Sequence, residues 1–337
     1  MRIVTFGELM LRLSPRGCKR LIQADELEIN YGGGEANVAV SLANFGEQAA
    51  FVTKLPENAW GHGAVNFLRR YGVDISHVTR GGNRIGIYFL ERGADIRSSE
   101  VLYDRSCSAI SQIEGDEFDW DTILKGADWF HFTGITPALG KNLSAACMEV
   151  LKVCRKNQIS VSLDLNYRQK LWNHEQAGRT LAEMLPYVDL CIANDEHIPL
   201  LFEGVECERN AEGNLTPHCC EQLARFLCNR YGIGKVALTQ RHSLNSVVNE
   251  WRGFLFDDNG FFQSPVHTID IVDRVGGGDA FAAGLIYAVL HGFSGQKAID
   301  FAITAGVLKH SIEGDVNLVS VDEVVKVMNG ASGEVQR

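Results

Sequence analysis

The sequence predicts an α/β fold with a mostly parallel sheet, and two observations carry this prediction. Short apolar runs typical of buried strands alternate with longer amphipathic runs typical of helices along the 337 residues. Hydrophobic content of 45% and charged content of 22% are ordinary for a globular enzyme. Because such alternation favours parallel strands with helices on both faces, we assign residues 1–330 to one domain and expect 331–337 to be a flexible tail.

The strands of the main sheet are predicted in order along the chain. Residues 1–8 have the pattern of a first strand and not that of a signal peptide. Three later strands each follow a helical segment, as expected for parallel neighbours. These helix–strand pairs are 143–156 with 161–164, 176–185 with 190–194, and 220–230 with 236–239.

Two segments interrupt the alternation and predict a second, smaller sheet. Residues 9–31 and 85–108 contain successive strand patterns with no helix between them. Within the second segment, 86–93 and 101–104 are expected to pair as antiparallel strands. We interpret the two segments as a β-sheet lid over the main sheet, and 203–217 as a polar surface insertion.

Charge and composition argue against several kinds of partner. The formal net charge is -10 without a sustained basic run, which disfavours nucleic acid and anionic membranes. No apolar run approaches the length of a membrane span. Nine scattered cysteines without a Cys-x-x-Cys pair are typical of reduced thiols in a cytoplasmic protein. The cluster of Cys219 and Cys220 near His218 and Cys207 fits no common zinc spacing.

The most informative stretch, 273–281, carries three glycines and Asp279 between a strand pattern and a helix pattern. The glycines allow a turn with positive φ, and the helix start adds its positive dipole end, so the turn predicts a phosphate site. Asp279 beside a phosphate suits a base that takes a proton from an attacking hydroxyl. An ordinary turn with an Asp N-cap is the alternative for this motif alone. The stretch therefore indicates a kinase acting on an alcohol.

Two other phosphate-binding motifs do not fit this stretch. A Walker loop needs Gly-Lys-Ser/Thr after its glycines, and that sequence does not follow here. The Gly-x-Gly-x-x-Gly of a dinucleotide fold is broken by Asp279. A dehydrogenase is disfavoured for the same reason.

A second glycine cluster at 32–34 opens the helix predicted at 35–45. Glycine lets a small ligand approach the backbone closely, and Asn37 can donate a hydrogen bond to a ligand hydroxyl. A plain strand-to-helix turn, with Asn37 bonded to local backbone, explains the same residues. The cluster by itself leaves both interpretations open.

Together, the two glycine clusters resemble the two signatures of the ribokinase-like (PfkB) carbohydrate kinases. The matching residues are Gly32, Gly33, Asn37 and Ala39, then Gly61 and Gly72-Val73-Asp74, and finally Gly276, Gly277, Gly278 and Asp279. The resemblance extends over most of the chain. It implies a ribokinase-like three-layer core with a β-sheet lid, ATP and Mg²⁺, and phosphoryl transfer to a sugar hydroxyl. Asp279 would be the base, and the amides of 276–278 would hold the transferring charge.

The arginines point to a sugar acid. Arg97 and Arg105 lie in or beside the predicted lid, and Arg168 follows a predicted strand. A guanidinium fork holds a carboxylate well, whereas a neutral sugar needs no such cations. For any single arginine, pairing with a surface carboxylate such as Asp104 or Glu100 is an equal alternative.

Several segments are similar to those of the 2-keto-3-deoxygluconate kinases within the family. They are 7–15, 103–105, 166–172 and 309–315. That resemblance assigns sugar-acid contacts to Gly34, Tyr88, Tyr103, Arg105, Asn166 and Arg168. Arg105 and Arg168 would hold the carboxylate, and the 6-hydroxyl would face Asp279 and the γ-phosphate of ATP.

The resemblance also implies a nucleotide end, with contacts from Asn194, Thr239, Arg241 and Ser243. The glutamate expected three residues after Asn194 is His197 here, and imidazole is a poor partner for Mg²⁺. Glu196 or Asp195 would substitute, or water and the nucleotide would hold the metal. Some members bind a monovalent cation near the residue that matches Asp273, and the sequence leaves open whether this chain does.

The sequence thus predicts an ATP-dependent kinase that phosphorylates the 6-hydroxyl of 2-keto-3-deoxygluconate to give 2-keto-3-deoxy-6-phosphogluconate. The alternatives are a kinase for 2-keto-3-deoxygalactonate or fructose, and a non-catalytic sugar-acid sensor on the same fold. Asp279 argues against the sensor, which has no need of a base. The resemblance also implies a homo-oligomer that forms through the outer face of the lid, with Leu90, Val101 and their neighbours as candidate contacts.

Overall fold

The computed structural model describes residues 1–204, 207–210 and 213–330. The tail predicted at 331–337 and part of the insertion predicted at 203–217 therefore lie outside the described residues. The strands are, in chain order, β1 (Arg2–Phe6), β2 (Met10–Ser14), β3 (Glu28–Gly32), β4 (Gln48–Leu55), β5 (Val78–Arg80), β6 (Gly86–Glu91), β7 (Glu100–Asp104), β8 (Trp129–Thr133), β9 (Ser160–Asp164), β10 (Leu190–Asn194), β11 (Lys235–Ser243), β12 (Val248–Asp257), β13 (Gly260–Gln263) and β14 (His267–Asp270).

Helices occupy most of the connections between these strands. They are α1 (Gly34–Asn44), α2 (Ala59–Arg70), α3 (Trp120–Ile123), α4 (Ile135–Ala138), α5 (Lys141–Lys156), α6 (His174–Met184), α7 (His197–Leu201), α8 (Pro217–Tyr231), α9 (Gly277–Leu290), α10 (Gly295–Lys309) and α11 (Val321–Met328). Within the described ranges, no helix is both long enough and apolar enough to cross a membrane.

The main sheet has the strand order β13-β12-β11-β10-β9-β8-β1-β4-β5, with β14 also paired to β12. All pairs from β11 to β5 are parallel, which confirms the predicted mostly parallel sheet. Strands β12, β13 and β14 add an antiparallel edge. The sequence analysis predicted a strand pattern just before the glycine turn, where β14 lies, but it did not identify β12, β13 or the antiparallel pairing. Short turns connect these strands, and the helix–strand alternation that guided the prediction ends there.

Helices cover both faces of the main sheet, so the core has three layers. Successive side chains of a strand point to opposite faces, and Phe130 of β8 accordingly joins one apolar cluster while Trp129 joins the other. The first cluster contains buried residues of α5, α6 and α8, and the second contains those of α1, α2, α9 and α10. This arrangement leaves the carboxyl ends of the parallel strands free to form a site.

The small sheet has the order β3-β2-β6-β7. Strands β6 and β7 are antiparallel, as predicted, with Leu90 opposite Val101. The prediction of Leu90 as a dimer contact is wrong, because its side chain is 2% exposed and packs inward with Met10 and Tyr88. Leu102, which lies on the face of β7 opposite to that of Val101, is 54% exposed instead.

Candidate active site

A cleft of about 400 Å³ is lined by the main sheet and the small sheet together. Asp164, Asn194 and Thr239, which lie at or near the carboxyl ends of β9, β10 and β11, line one side. Tyr88 and Tyr103 of the small sheet line the other. The carboxyl ends of parallel strands are where α/β folds place their ligands.

Most of the predicted site residues line this one cleft. They are Gly34, Tyr88, Tyr103, Arg105, Asn166, Arg168, Asn194, Thr239, Arg241, Gly276, Gly278 and Asp279. Gly277 begins α9 between two of them, and a Cβ at that position would collide with the ring of His310. Glu196 and Ser243 are not among the lining residues. The structure therefore brings together segments from both ends of the chain.

The start of α9 presents open backbone amides to the cleft. Gly276 has a φ of 85°, in the left-handed region that favours glycine, and a Cβ there would collide with the carbonyl of Asp315. At Gly278 a Cβ would meet no described atom within 4 Å, so this residue faces open space. No side chain of the described residues caps the helix. The first amides of a helix have no partner within it, so this turn is suited to an anion.

Asp279 stands at this turn and is held by Asn37. The Nδ2 of Asn37 donates to Oδ2 of Asp279 at 2.7 Å. Burial raises the pKa of Asp279 to about 6, while the bond from Asn37 and the charge of Arg168 act in the opposite direction. A carboxylate with this pKa is ionised near neutral pH and can accept a proton. A Cβ at Gly34 would lie 3.6 Å from Oδ1 of Asp279, so glycine keeps this side of the carboxylate open.

Replacing Asn37 with alanine should shift the pH dependence of turnover upward. Its hydrogen bond favours the ionised form of Asp279, so losing it raises a pKa that is already about 6. Activity that needs ionised Asp279 is present above this pKa and lost below it, so we expect the acid limb of kcat/KM to move up by about one pH unit.

The control for this prediction is Asn44→Ala on the same helix. Asn44 donates to the carbonyl of Asn317 at 2.8 Å and does not line the cleft. An acid limb of Asn37→Ala that stays in place, or one that shifts equally in both variants, contradicts the role of Asn37.

Three arginines cluster in the cleft. Arg168, Arg241 and Arg274 all line it, and none has an ion-pair partner among the described residues. Burial, together with the charges of Arg274 and Arg168, lowers the pKa of Arg241 to about 10. The guanidinium of Arg241 also lies over the ring of Trp251, 5.3 Å from its centre. Asp164, Asp279 and Asp315 line the cleft as well, but a cluster of three arginines in a protein of net charge -10 is suited to an anionic ligand.

Two other arginines already have carboxylate partners. Arg105 lines the cleft, but its guanidinium forms an ion pair with Glu8. Arg97 pairs with Glu91 at 2.9 Å and does not line the cleft. Arg97 therefore pairs with a protein carboxylate, which was the alternative stated from the sequence. Of the two arginines predicted to bind the carboxylate of the sugar acid, only Arg168 has no ion-pair partner among the described residues.

The turn after β9 sets the position of Asn166. Oδ1 of Asp164 accepts from the backbone N–H of Asn166 at 3.0 Å, and Asn166 adopts a φ of 34°. Asparagine tolerates this left-handed backbone better than most residues. The amide Nδ2 of Asn166 would lie 3.9 Å from a Cβ at Gly34, which puts it close to Asp279. Burial and the charge of Asp279 raise the pKa of Asp164 to about 7.

Most of the residues predicted to contact the nucleotide line the cleft, but the predicted acidic residue does not. Asn194 and Thr239 are paired neighbours of β10 and β11, and both line the cleft. Glu196 lies in the turn that follows, where its N–H bonds to Oδ1 of Asn194, and its side chain is exposed and 3.7 Å from Arg209. Ser243 ends β11, away from the cleft. The structure thus does not bring Glu196 or Ser243 to the site.

A magnesium site made of protein carboxylates does not fit these residues. Asp195 is buried and accepts from Nε2 of Gln240 at 2.7 Å. His197 lines the cleft, and burial and the charge of Arg168 lower its pKa to about 4. No group of three or more His, Cys, Asp or Glu in the described ranges could hold a metal ion. Mg²⁺ fits here only as an ion held by nucleotide phosphates and water, which it tolerates.

Comparison with known proteins assigns the family. Residues 1–213 and 237–320 match the model of the pfkB family carbohydrate kinases. The chain belongs to the PfkB family of carbohydrate kinases. The match includes both glycine clusters, the small sheet and the Asp279 turn. The resemblance stated from the sequence is thereby confirmed, and with it the assignment as a kinase.

Three relatives show which kinds of PfkB kinase this chain is similar to. A 2-dehydro-3-deoxygalactonokinase of Haloferax volcanii is 31% identical over 99% of both chains. A 2-dehydro-3-deoxygluconokinase of Thermoproteus tenax is 26% identical over 93% of this chain and 89% of the relative. The crystal structure of a 2-dehydro-3-deoxygluconokinase from Thermotoga maritima is 46% identical, covers 98% of this chain and 100% of its own, and has a TM-score of 0.92. The last comparison confirms the ribokinase-like α/β fold.

Sequence reasoning missed three features of the PfkB site. It had Asn37 donating to a ligand hydroxyl, whereas Asn37 holds Asp279. It overlooked Arg274, although this arginine stands within the signature beside the glycine turn. It also gave no role to Lys309, whose ammonium is buried behind that turn. Only Arg274 could have been found from its position in the signature, since Asn37 meets Asp279 across 242 positions and Lys309 meets Asp273 across 36.

Proposed function

We propose that this PfkB kinase transfers the γ-phosphoryl group of ATP to the 6-hydroxyl of 2-keto-3-deoxygluconate, also named 2-dehydro-3-deoxygluconate. One observation carries the proposal: a carboxylate base at the start of α9 shares its cleft with an unpaired arginine, Arg168. The base accounts for an alcohol acceptor. The arginine accounts for an acid at the other end of that acceptor.

The sugar acid would lie between Arg168 and Asp279. A guanidinium fork can bind a carboxylate with two parallel hydrogen bonds, and Arg168 is free to do so. Asn166 and Gly34 lie next to the base, where Asn166 can bond a sugar hydroxyl and Gly34 leaves room for the chain of the substrate. Three relatives carry names of sugar-acid kinases, which supports an acidic substrate.

The triphosphate of ATP would lie against the start of α9 and the remaining arginines. The open amides of 276–278 and the guanidinium groups of Arg241 and Arg274 face the same cleft. Mg²⁺ carried by the phosphates would neutralise part of their charge. The protein groups would hold the charge that builds on the oxygens of the transferring group.

The chemical step needs one proton acceptor, and Asp279 is suited to it. As the 6-hydroxyl oxygen attacks the γ-phosphorus in line, its proton passes to Asp279 while the bond from phosphorus to the oxygen of ADP breaks. We further propose that the small sheet closes over the cleft as a lid, since water left in the site would hydrolyse ATP. Residues 9–31 and 85–108 would form this lid on a single domain of residues 1–330.

The test is ADP release by purified protein with ATP and Mg²⁺ and a panel of sugars: 2-keto-3-deoxygluconate, 2-keto-3-deoxygalactonate, fructose and ribose. Release without sugar gives the background rate of ATP hydrolysis. We expect release well above this background with a sugar acid. Release with a neutral sugar alone would keep the kinase and remove the role given to Arg168, and detectable sugar-acid binding without ADP release would favour a sensor.

A further inference from the structure

Lys309 ends α10 with an ammonium group that is fully buried. Its Nζ donates to the backbone carbonyls of Asp273 at 3.3 Å, Ile312 at 3.1 Å and Gly314 at 2.6 Å. These carbonyls belong to two loops, one before α9 and one after α10. We call this group of three carbonyls the carbonyl cage.

No carboxylate oxygen bonds to the ammonium within the described ranges. The nearby carboxylates of Asp273 and Asp315 pair instead with Arg12, at 2.6 and 2.7 Å. Burial lowers the pKa of Lys309 to about 8, and the charges of Asp273 and Asp315 act in the opposite direction. Carbonyl dipoles are therefore its direct ligands, as backbone carbonyls are for a dehydrated monovalent cation.

The two carboxylates next to the cage already have cationic partners, and Arg92 also lies 3.5 Å from Asp273. Arg12 and Lys309 are two buried cations, and Asp273 and Asp315 are two buried carboxylates. The hydroxyl of Tyr88 donates to Asp315 and occupies its other oxygen. A further cation brought next to Asp273 and Asp315 would find both carboxylates already paired, so little would offset its loss of hydration.

The cage borders the catalytic turn. Asp273 precedes Gly276 by three residues, and a Cβ at Gly276 would lie 3.3 Å from Cε of Lys309. The same Cβ would collide with the carbonyl of Asp315, the residue after Gly314. The ammonium thus links two loops: the loop at Asp273 that leads into the turn, and the loop at 312–315 against which the turn packs. A shift of either loop would move the amides of 276–278.

We propose that Lys309 is a positioning residue whose ammonium serves as a built-in monovalent cation in the carbonyl cage. It holds the turn in place for phosphoryl transfer, so this kinase has no use for a diffusible monovalent cation there. The sequence left that requirement open, and the occupied cage argues against it. The predicted effects on turnover rest on the proposed function, whereas the predicted effects of cations on thermal unfolding do not.

The first test compares wild-type turnover in potassium, ammonium, sodium and choline salts at equal ionic strength. We expect kcat to vary by less than about twofold across the series, because the cage is filled by the chain itself. A several-fold rise of wild-type kcat in potassium over choline overturns the proposal. This arm needs no variant, so it decides the question even if substitutions at 309 prevent folding.

The second test removes the ammonium. Lys309→Ala leaves space for a small cation, and Lys309→Met fills that space with a neutral chain. We expect kcat of Lys309→Ala to fall by at least about tenfold with a smaller change in KM for the sugar acid, as loss of turn positioning predicts. Ammonium or potassium should restore part of this loss in Lys309→Ala but not in Lys309→Met.

Thermal unfolding gives a readout that does not depend on turnover. The midpoint of Lys309→Ala should rise in ammonium or potassium relative to choline, and the midpoints of wild type and Lys309→Met should not. A folded Lys309→Ala that gains neither activity nor stability from either cation overturns the proposal. If wild type turns over no sugar, the proposed function fails while this unfolding series still decides the role of Lys309.

Discussion

Replacing Asp279 with asparagine lowers kcat by at least about 10²-fold, because an amide cannot accept the proton that the 6-hydroxyl gives up. Asparagine has the shape of aspartate, and its Oδ1 can still accept from Asn37, so the turn should keep its geometry. The loss should therefore appear in kcat with little change in KM for either substrate. The measurement is ADP release at saturating ATP and sugar acid, with the thermal midpoint as a check on folding.

Asp164→Asn is the matched control for this prediction. Asp164 is the neighbouring carboxylate in the cleft, and burial, together with the charge of Asp279, raises its pKa to about 7. Its carboxylate accepts a hydrogen bond from the backbone N–H of Asn166, and the side-chain oxygen of an asparagine can accept the same bond. We expect a smaller loss of kcat than for Asp279→Asn. A larger loss in Asp164→Asn would identify Asp164 as the base and contradict the assignment.

Replacing Arg168 with alanine raises KM for 2-keto-3-deoxygluconate by roughly 10- to 100-fold, since a hydrogen bond to a charged group contributes about 1.5–3 kcal/mol. With fructose, which has no carboxylate, KM should change little. The charge of Arg168 also holds down the pKa of Asp279, which is about 6 with the arginine present. Wild type and Arg168→Ala are therefore compared at a pH well above this pKa, where Asp279 is ionised in both proteins.

Two variants sharpen the Arg168 experiment. Arg168→Lys keeps the positive charge without the planar fork, so its KM should lie between those of wild type and Arg168→Ala. Arg97→Ala removes an arginine that pairs with Glu91 outside the cleft, and we expect KM to stay near the wild-type value. An equal rise of KM for fructose and for the sugar acid in Arg168→Ala would show that this residue does not read the carboxylate.

The parts of the site that the sequence predicted are those set by local chemistry. Glycine at 276 and the aspartate three residues later specify a turn, a helix start and a carboxylate within one short segment. The alternation of apolar runs likewise predicted the parallel strands whose carboxyl ends carry Asn166 and Asn194. These features follow from a few neighbouring residues, so a single sequence contains them.

The parts that the sequence did not predict depend on contacts between distant segments. Asn37 meets Asp279 across 242 positions, and Arg105 meets Glu8 across 97. Nothing near Arg105 indicates that a carboxylate from the first loop will neutralise it. Glu196 lies outside the cleft for a local reason that residue type does not reveal, since the turn after Asn194 leaves its side chain exposed.

The most direct test of the central claim is the ratio of kcat/KM for 2-keto-3-deoxygluconate to that for fructose in the wild-type kinase, measured by ADP release. The account predicts a ratio of at least about tenfold in favour of the sugar acid, because only that substrate gives Arg168 a partner while placing its 6-hydroxyl at Asp279. A ratio near or below one would contradict it.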